Sequence, residues 1–346
     1  KGGVVVALAY SEADAAARAE MQCKQLAAEL GKKDGNAWLA TIFGHYVARV
    51  DEQGGTPLNW YAGDGRTITG LAVRPDADEV WVLTIPDFLG GSGVSGVARL
   101  HRFDLTGAEL PAVVLPVDYA FGLGWADERA LWIYLDGIGT ALVDADLLGS
   151  GADLEVATQA LIDTPFVFEL IVDPVTRDTW AFGTGGVATL AHPDGTFVTV
   201  PLDQVFDPFF VDGEGALWFS RFATEVLRGH TPAEQGALLR TDLDLAFPPA
   251  VDILTGGYWA PVFVPTALVN LSVDGTPHER VTHAKGPSGA DELLPIIPLL
   301  SPTPDGKSLW AMTAVGGDVE SKIERFDRIE GGWLRVPVID DPTLCE

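Results

Sequence analysis

The chain has 346 residues, 47% of them hydrophobic, with 22 Lys and Arg against 49 Asp and Glu, a formal net charge of −27. This charge repels nucleic acid and anionic membrane surfaces, so the composition excludes both as expected partners. No apolar segment approaches the roughly 20 residues that a membrane-spanning helix needs. The 39 Gly and 23 Pro form no linker-like run, which favours a single domain over residues 1–346 with many tight turns.

The first predicted unit carries the one obvious insertion. Val4–Tyr10 predicts an inner strand. The Ala-rich segment Ser11–Leu30 predicts a helix, because Ser11 is a good N-cap and Gly31 a good terminator. A helical insertion is therefore expected at about residues 11–31. The other strands of the unit are predicted at 36–42, 46–51 and 57–62.

The following units repeat a pattern of four short strands joined by turn residues. Units two to four are predicted at 68–74, 79–84, 97–104 and 109–117; at 120–125, 130–135, 140–144 and 154–161; and at 166–172, 179–183, 187–191 and 196–202. Unit five is predicted at 209–212, 216–220, 237–242 and 251–254, and unit seven at 293–300, 308–313, 323–327 and 333–339. The sixth unit, around 259–283, is short, so either one strand is missing or its hairpins are unusually tight.

A tryptophan strand followed by an aspartate turn marks the repeat. Six of the units contain such a strand, with Trp38, Trp81, Trp132, Trp180, Trp218 and Trp310. A period of roughly 40 to 50 residues with four strands per unit is typical of a β-propeller, because no single sheet can cover both of its faces. The sequence therefore predicts an all-β, seven-bladed β-propeller, with six blades as the alternative.

Two segments carry a resemblance to known proteins. Gly70–Asp76 with Val80-Trp81, and Asp212–Ser220, combine an inner strand, a Pro-Asp or Asp-Gly turn and a Trp strand. This pattern covers most of the chain and resembles the NHL, streptogramin-lyase-like and gluconolactonase-like propellers. The resemblance implies the fold, whereas these families include lyases, lactonases and pure binding modules.

Long loops and acidic residues are predicted to gather at one mouth of the central channel. The long loops are Ile85–Gly96, Arg221–Gly236, Ala284–Glu292 and Ala314–Ser321. Carboxylates are the ligands that Ca²⁺ or Mg²⁺ prefers, so Glu169, Asp118, Asp163 and Asp207 are candidate metal ligands. His230, near Arg228 and Glu225, is the candidate general base, with Glu169 and Asp207 as other catalytic candidates. No Gly-x-Ser-x-Gly nucleophile motif is present.

Aromatic residues beside the same loops offer a binding surface for sugar rings or protein side chains. The candidates are Phe88, Tyr119, Phe206, Phe222 and Trp259. The alternative interpretation is that such residues fill the space between blades.

The two cysteines, Cys23 and Cys345, lie near opposite ends of the chain. Because the first and last blades of a ring are neighbours, a disulfide here would fasten the ring and imply an oxidising compartment; two unrelated buried thiols are the alternative. The chain begins with Lys1, which favours a processed product. We therefore expect an extracellular or periplasmic binding or assembly module that engages protein or carbohydrate, with self-association open. The alternative is a metal-dependent lyase or lactonase.

Overall fold

The chain forms a succession of antiparallel sheets, each built from contiguous sequence. The computed structural model describes residues 26–30, 37–41, 46–50, 58–62, 66–74, 79–86, 96–104, 106–173, 176–183, 187–201, 207–211, 217–221, 225–229, 237–240, 250–251, 257–262, 266–272, 276–302, 307–315 and 320–339.

The first three sheets follow the strand order of the chain. Sheet one contains Leu26–Leu30 (β1), Ala37–Thr41 (β2), Tyr46–Val50 (β3) and Leu58–Tyr61 (β4). Sheet two contains Arg66–Val73 (β5), Glu79–Pro86 (β6), Arg99–Asp104 (β7) and Glu109–Val114 (β8). Sheet three contains Ala120–Trp125 (β9), Ala130–Leu135 (β10), Gly139–Asp144 (β11) and Thr158–Ile162 (β12), with helices Ala145–Gly149 (α1) and Leu154–Ala157 (α2) before its last strand.

Sheets four to six repeat this order. Sheet four contains Val167–Val172 (β13), Thr179–Gly183 (β14), Val187–Ala191 (β15) and Phe197–Pro201 (β16). Sheet five contains Asp207–Val211 (β17), Leu217–Arg221 (β18), Glu225–Gly229 (β19) and Ala237–Arg240 (β20). Sheet six contains Ala250–Val251 (β21), Tyr258–Val262 (β22), Ala267–Leu271 (β23) and Pro277–Val281 (β24).

The seventh sheet has six strands. A hairpin of His283–Lys285 (β25) and Asp291–Leu293 (β26) precedes Ile296–Pro302 (β27), Ser308–Val315 (β28), Glu320–Ile329 (β29) and Gly332–Ile339 (β30). The hairpin adds to the outer edge, where β25 runs parallel to β30 with Lys285 opposite Leu334. The segment 284–292, predicted as a channel loop, is therefore mostly part of this edge hairpin.

The first strands of the sheets meet around a common centre. Contacts run from β1 to β5, β9, β13 and β17 in turn, and β21 contacts β27, which contacts β1. The first and last sheets are therefore neighbours, and the predicted all-β propeller is confirmed. The described residues contain two short helices, neither long and apolar enough to cross a membrane.

One prediction about the first unit is wrong. Leu26–Leu30 is a strand and not the end of a helix, since Leu26 to Leu30 pair with Thr41 to Ala37. Among the described residues, this strand begins the first sheet. Pairing within the ring outweighs the local helix propensity of an Ala-rich segment. The rest of the predicted insertion, with Val4–Tyr10, lies outside the described residues.

The strands of units five and six are displaced from their predicted places. Glu225–Gly229 is the third strand of sheet five, inside the predicted loop Arg221–Gly236. Ala237–Arg240 then becomes the fourth strand, and Val251 belongs to the first strand of sheet six. Sheet six consequently has four strands, so neither reason given for its short length is needed.

When sheet seven is counted from β27, after its edge hairpin, a tryptophan occupies the second strand of all seven sheets, at a similar register. Opposite it, in the third strand, lies Arg in four sheets and Leu or Asn in the others. The pairs are Trp38–Arg49, Trp81–Arg102, Trp132–Leu142, Trp180–Leu190, Trp218–Arg228, Trp259–Asn270 and Trp310–Arg325. In sheet two, the Arg102 guanidinium lies 5.2 Å from the ring centre of Trp81, an attractive cation–π contact.

Glycines in the first strands allow neighbouring sheets to approach closely. A Cβ at Gly70 would lie 3.0 Å from Cγ of Leu123 in the next sheet. A Cβ at Gly124 would overlap Cγ2 of Val172 in the sheet after that. The narrow centre of the ring therefore depends on residues without a side chain at these positions.

Candidate functional site

The strand order brings several candidate residues to one end of the ring. We call the end at which the first strand of each sheet begins the upper end, and the opposite one the lower end. The connections between sheets, and those between second and third strands, lie at the upper end because adjacent strands alternate in direction. Asp118 and Tyr119 lie between β8 and β9, and Asp163 lies between β12 and β13. All three are therefore at the upper end.

These connections contact a shared turn. The Asp136 amide, in the turn from β10 to β11, donates a 3.0 Å hydrogen bond to the Tyr119 carbonyl. Gly139, at the end of the same turn, lies so close to the Ile162 carbonyl that a Cβ would overlap it. The φ of Gly139 is +122°, which also favours glycine. One turn thus holds both acidic connections, and the side chains of Asp118, Asp136 and Asp163 are exposed.

An aromatic cluster lies in the same region. The ring centres of Phe121 and Phe166 are 5.1 Å apart in an edge-to-face arrangement, and Tyr134 lies 5.8 Å from Phe166. The Tyr134 hydroxyl donates to Oδ1 of Asp136 at 3.3 Å. Burial and the adjacent Asp136 carboxylate raise the pKa of Tyr134 to about 12. The phenol is therefore neutral at physiological pH, and its hydroxyl contacts one of the carboxylates at the upper end.

The proposed metal ligands do not converge in the described part of the chain. Glu169 is only 3% exposed in β13, where it pairs with Phe182. Asp118 and Asp163 are exposed, and Asp207 begins β17 at the upper end, with its side chain outside the described set. Among the described residues, no three His, Cys, Asp or Glu side chains form a group suited to a metal ion.

Several candidates lie outside the described residues: His230, Phe88, Phe206, Phe222, Cys23 and Cys345. The reasoning for His230 nevertheless changes, because Glu225 and Arg228 belong to β19 and not to a long loop. In the sequence, His230 directly follows Gly229, the last residue of β19.

Trp259 belongs to the core. It is 1% exposed and meets Trp333 edge to face, with ring centres 5.2 Å apart. The Arg328 guanidinium lies 5.5 Å from the Trp259 ring centre and 5.1 Å from that of Trp333. Trp259 is thus the repeat tryptophan of sheet six, and its ring is not accessible to a ligand. The triplet Tyr258-Trp259-Ala260, similar to Thr179-Trp180-Ala181, was the sequence signal for this role.

Sequence reasoning did not find a buried polar cluster in sheet two. The Arg66 guanidinium donates to Oγ1 of Thr84 at 3.0 Å, and Nε2 of His101 lies 3.2 Å from the same oxygen. Nδ1 of His101 lies 3.2 Å from Oε1 of Glu109, and the Trp60 ring centre is 4.7 Å from that of His101. Burial lowers the pKa of His101, and Glu109 partly opposes this shift. Burial and the nearby positive charge of Arg99 also lower the pKa of Arg66, to about 10. Because the side chains of Arg66, Thr84 and His101 are all buried, we interpret the cluster as structural.

Comparisons with known proteins address the fold. No protein-family model matches the chain, and a comparison with curated proteins gives no match. Among solved structures, one described as streptogramin B lyase is 13% identical, with 86% of this chain and 91% of that chain covered and a TM-score of 0.57. The chain has a streptogramin-lyase-like β-propeller fold. Dihydro-heme d1 dehydrogenase NirN, in complex with DHE, is 14% identical, with coverages of 92% and 77% and a TM-score of 0.51. Identities this low show similarity of fold alone.

Proposed function

We propose that the protein is a non-catalytic binding or assembly module whose upper end receives a positively charged partner. The observation that carries the proposal is the pair of exposed carboxylates, Asp118 and Asp163, held on adjacent connections by the turn that contains Asp136. The net charge of −27 adds a long-range attraction for a basic partner. Electrostatic complementarity of this kind increases the association rate and the selectivity of binding.

The test uses a fluorescein-labelled octalysine peptide as a basic probe. Asp118→Asn with Asp163→Asn removes two charges at the upper end, and we expect at least about a fivefold rise in Kd, because each exposed charge contributes roughly 0.5 kcal/mol or more. Glu128→Gln with Glu330→Gln is the matched control, since both residues are exposed and lie at the lower end. Equal weakening by the two pairs would show attraction by net charge alone and would refute a localised site.

We also propose that each of the seven sheets is one blade. This count is supported by the tryptophan in the second strand of every sheet and by the contact between β1 and β27. An experimental density map with six or eight radial sheets would contradict it.

We also propose that the protein is exported and that a disulfide between Cys23 and Cys345 closes the ring. Cys23 precedes β1 and Cys345 follows β30, so both are close in sequence to strands of the neighbouring first and seventh sheets. A disulfide between them would add about 4 to 5 kcal/mol in the loop-entropy model. Mass spectrometry after thiol alkylation should show both thiols protected until reduction. Two alkylated cysteines in the protein from its native cells would contradict both the bond and an oxidising compartment.

The metal-dependent lyase or lactonase remains a second hypothesis, motivated by the fold shared with streptogramin B lyase. It requires a Ca²⁺ or Mg²⁺ ion held by carboxylates such as Glu169 and Asp207. Calorimetric titration with each ion tests it, because saturable binding at one site that Glu169→Gln abolishes would favour this hypothesis. Absence of binding would leave it without a cofactor.

A further inference from the structure

The outer edge of sheet four is an exposed strand without charged residues. Among the described strands, β16 pairs only with β15. Its residues run Phe197-Val198-Thr199-Val200-Pro201, with Phe197 48% and Val198 47% exposed although they point to opposite faces. An exposed edge without charge is a template for strand pairing, and natural proteins usually protect such edges.

Two other outer strands carry charged residues, which β16 lacks. β8 contains Glu109 and Pro111, and β24 contains charged residues and begins with Pro277. The edge of sheet seven is covered by the β25–β26 hairpin. Sheet seven therefore demonstrates, within this molecule, that an outer edge accepts an added strand.

The register fixes which backbone groups of β16 face outward. The backbone amide of His192 donates to the Thr196 carbonyl at the hairpin turn. Hydrogen-bonded and non-hydrogen-bonded residue pairs alternate along an antiparallel ladder. Leu190 and Val198 are then a hydrogen-bonded pair. The N–H and C=O groups of Phe197 and Thr199 consequently point to the open edge.

We propose that β16 binds an extended peptide segment of a partner protein, which adds as a fifth strand to sheet four. The segment would alternate aromatic or β-branched residues with polar ones and carry Lys or Arg at its ends. Backbone hydrogen bonds to Phe197 and Thr199 would provide affinity, and contacts with the exposed side chains of Phe197 and Val198 would provide specificity.

Charge identifies the chemistry of this partner. Asp194 lies in the turn before β16, where its carboxylate accepts from the hydroxyl of Thr196 at 2.6 Å and from its amide at 2.9 Å. The neighbouring sheet is close, since a Cβ at Gly195 would lie 4.0 Å from Cβ of Ala160. In the segment before β12 of that sheet, Asp153 and Glu155 are exposed. A basic segment is attracted by these groups, whereas a second copy of the chain, with a net charge of −27, is repelled.

The test uses a fluorescein-labelled peptide, Lys-Lys-Val-Thr-Val-Thr-Val-Lys-Lys, with the full chain. We expect saturable binding and slower hydrogen exchange of the Phe197 and Thr199 amides in its presence. Thr199→Pro removes an outward N–H without breaking the ladder to β15, and Val198→Lys adds a repulsive charge. Each should weaken binding by about tenfold or more, equivalent to 1.4 kcal/mol.

The matched control is Val114→Lys, which places the same charge on the exposed edge strand β8. It should leave the affinity within about threefold. Equal weakening by Val114→Lys and Val198→Lys, or exchange protection elsewhere, would overturn the proposal, as would the absence of binding. If light scattering shows a dimer and Thr199→Pro dissociates it, the occupant of the β16 edge is a second copy of the chain, and the proposal is overturned. If Thr199→Pro lowers Tm strongly, the proposal is tested by Val198→Lys and by the hydrogen-exchange measurement instead.

Discussion

The contact between Gly124 and Val172 provides the sharpest test of how the ring is held at its centre. In Gly124→Ala the new Cβ would overlap Cγ2 of Val172 and lie 3.4 Å from its Cβ. Overpacking of this kind costs about 1 to 3 kcal/mol. The reduced backbone freedom of the unfolded chain offsets about 0.5 to 1 kcal/mol of this cost. We therefore expect a net loss of about 0.5 to 2 kcal/mol in the free energy of unfolding.

The double variant isolates the steric cause. Val172→Ala alone should cost about 1.5 kcal/mol for two buried carbons, but combined with Gly124→Ala it removes the overlapping methyl group. The double variant should be more stable than the sum of the single effects by about 1 kcal/mol. Gly70→Ala is a milder comparison, because its Cβ would lie 3.0 Å from Cγ of Leu123, a flexible side chain.

Urea unfolding, followed by tryptophan fluorescence and circular dichroism together, measures these differences when the m-value is unchanged. Additivity within about 0.5 kcal/mol would refute the steric reasoning. So would a Gly124→Ala variant as stable as the parent chain.

Three further predictions concern buried ionisable groups. Burial lowers the pKa of His101 below 6.5, so the unfolded chain binds this proton first as the pH falls. The free energy of unfolding should therefore decrease from pH 6.5 down through the pKa of His101 in the folded state. Thermal unfolding of His101→Gln should show a weaker dependence on pH. The pKa of Tyr134 is about 12, above the value of about 10 in the unfolded chain, so the stability linked to its neutral phenol should be lost between these values. Tyr134→Phe should remove the last phenol transition from the ultraviolet titration. Arg335 donates to Oε1 of the buried Glu324 at 2.7 Å, so Arg335→Met should lower the free energy of unfolding by about 3 to 5 kcal/mol. Adding Glu324→Met should restore most of this loss. If urea unfolding shows that the double variant is no more stable than Arg335→Met, the pairing is contradicted.

The sequence predicts strands best where the turn chemistry and the tryptophan register agree. In sheet three, the predicted 120–125 and 130–135 coincide with β9 and β10, and in sheet four the predicted 179–183 and 187–191 coincide with β14 and β15. The strand prediction for sheet five is wrong because two arginines in the sequence fit the position opposite its tryptophan. Arg240 precedes an aspartate turn signal, yet Arg228 is the residue paired with Trp218.

The candidate site was less predictable because side-chain direction depends on register irregularities. A register shift between Ile133 and Tyr134 in the β10–β9 pairing changes which side chains share a face beside Phe121. No sequence period reports such a bulge. Trp259 is a different case, because the triplet Tyr258-Trp259-Ala260 carried the sequence signal and a regular register assigns the residue to the core.

The repeat restricts the inner strands much more than the outer ones. Glycines limit the first strands, as Gly70 and Gly124 do, and a tryptophan occupies the second strand of every sheet. The fourth strands and their connections differ instead: sheet three adds two helices before β12, and sheet seven adds a hairpin beyond β30. A ring whose centre is fixed by close packing can vary only where a change does not alter the spacing between sheets. Both proposed binding surfaces, the upper connections and the β16 edge, lie in this variable part, where specificity can change without loss of the fold.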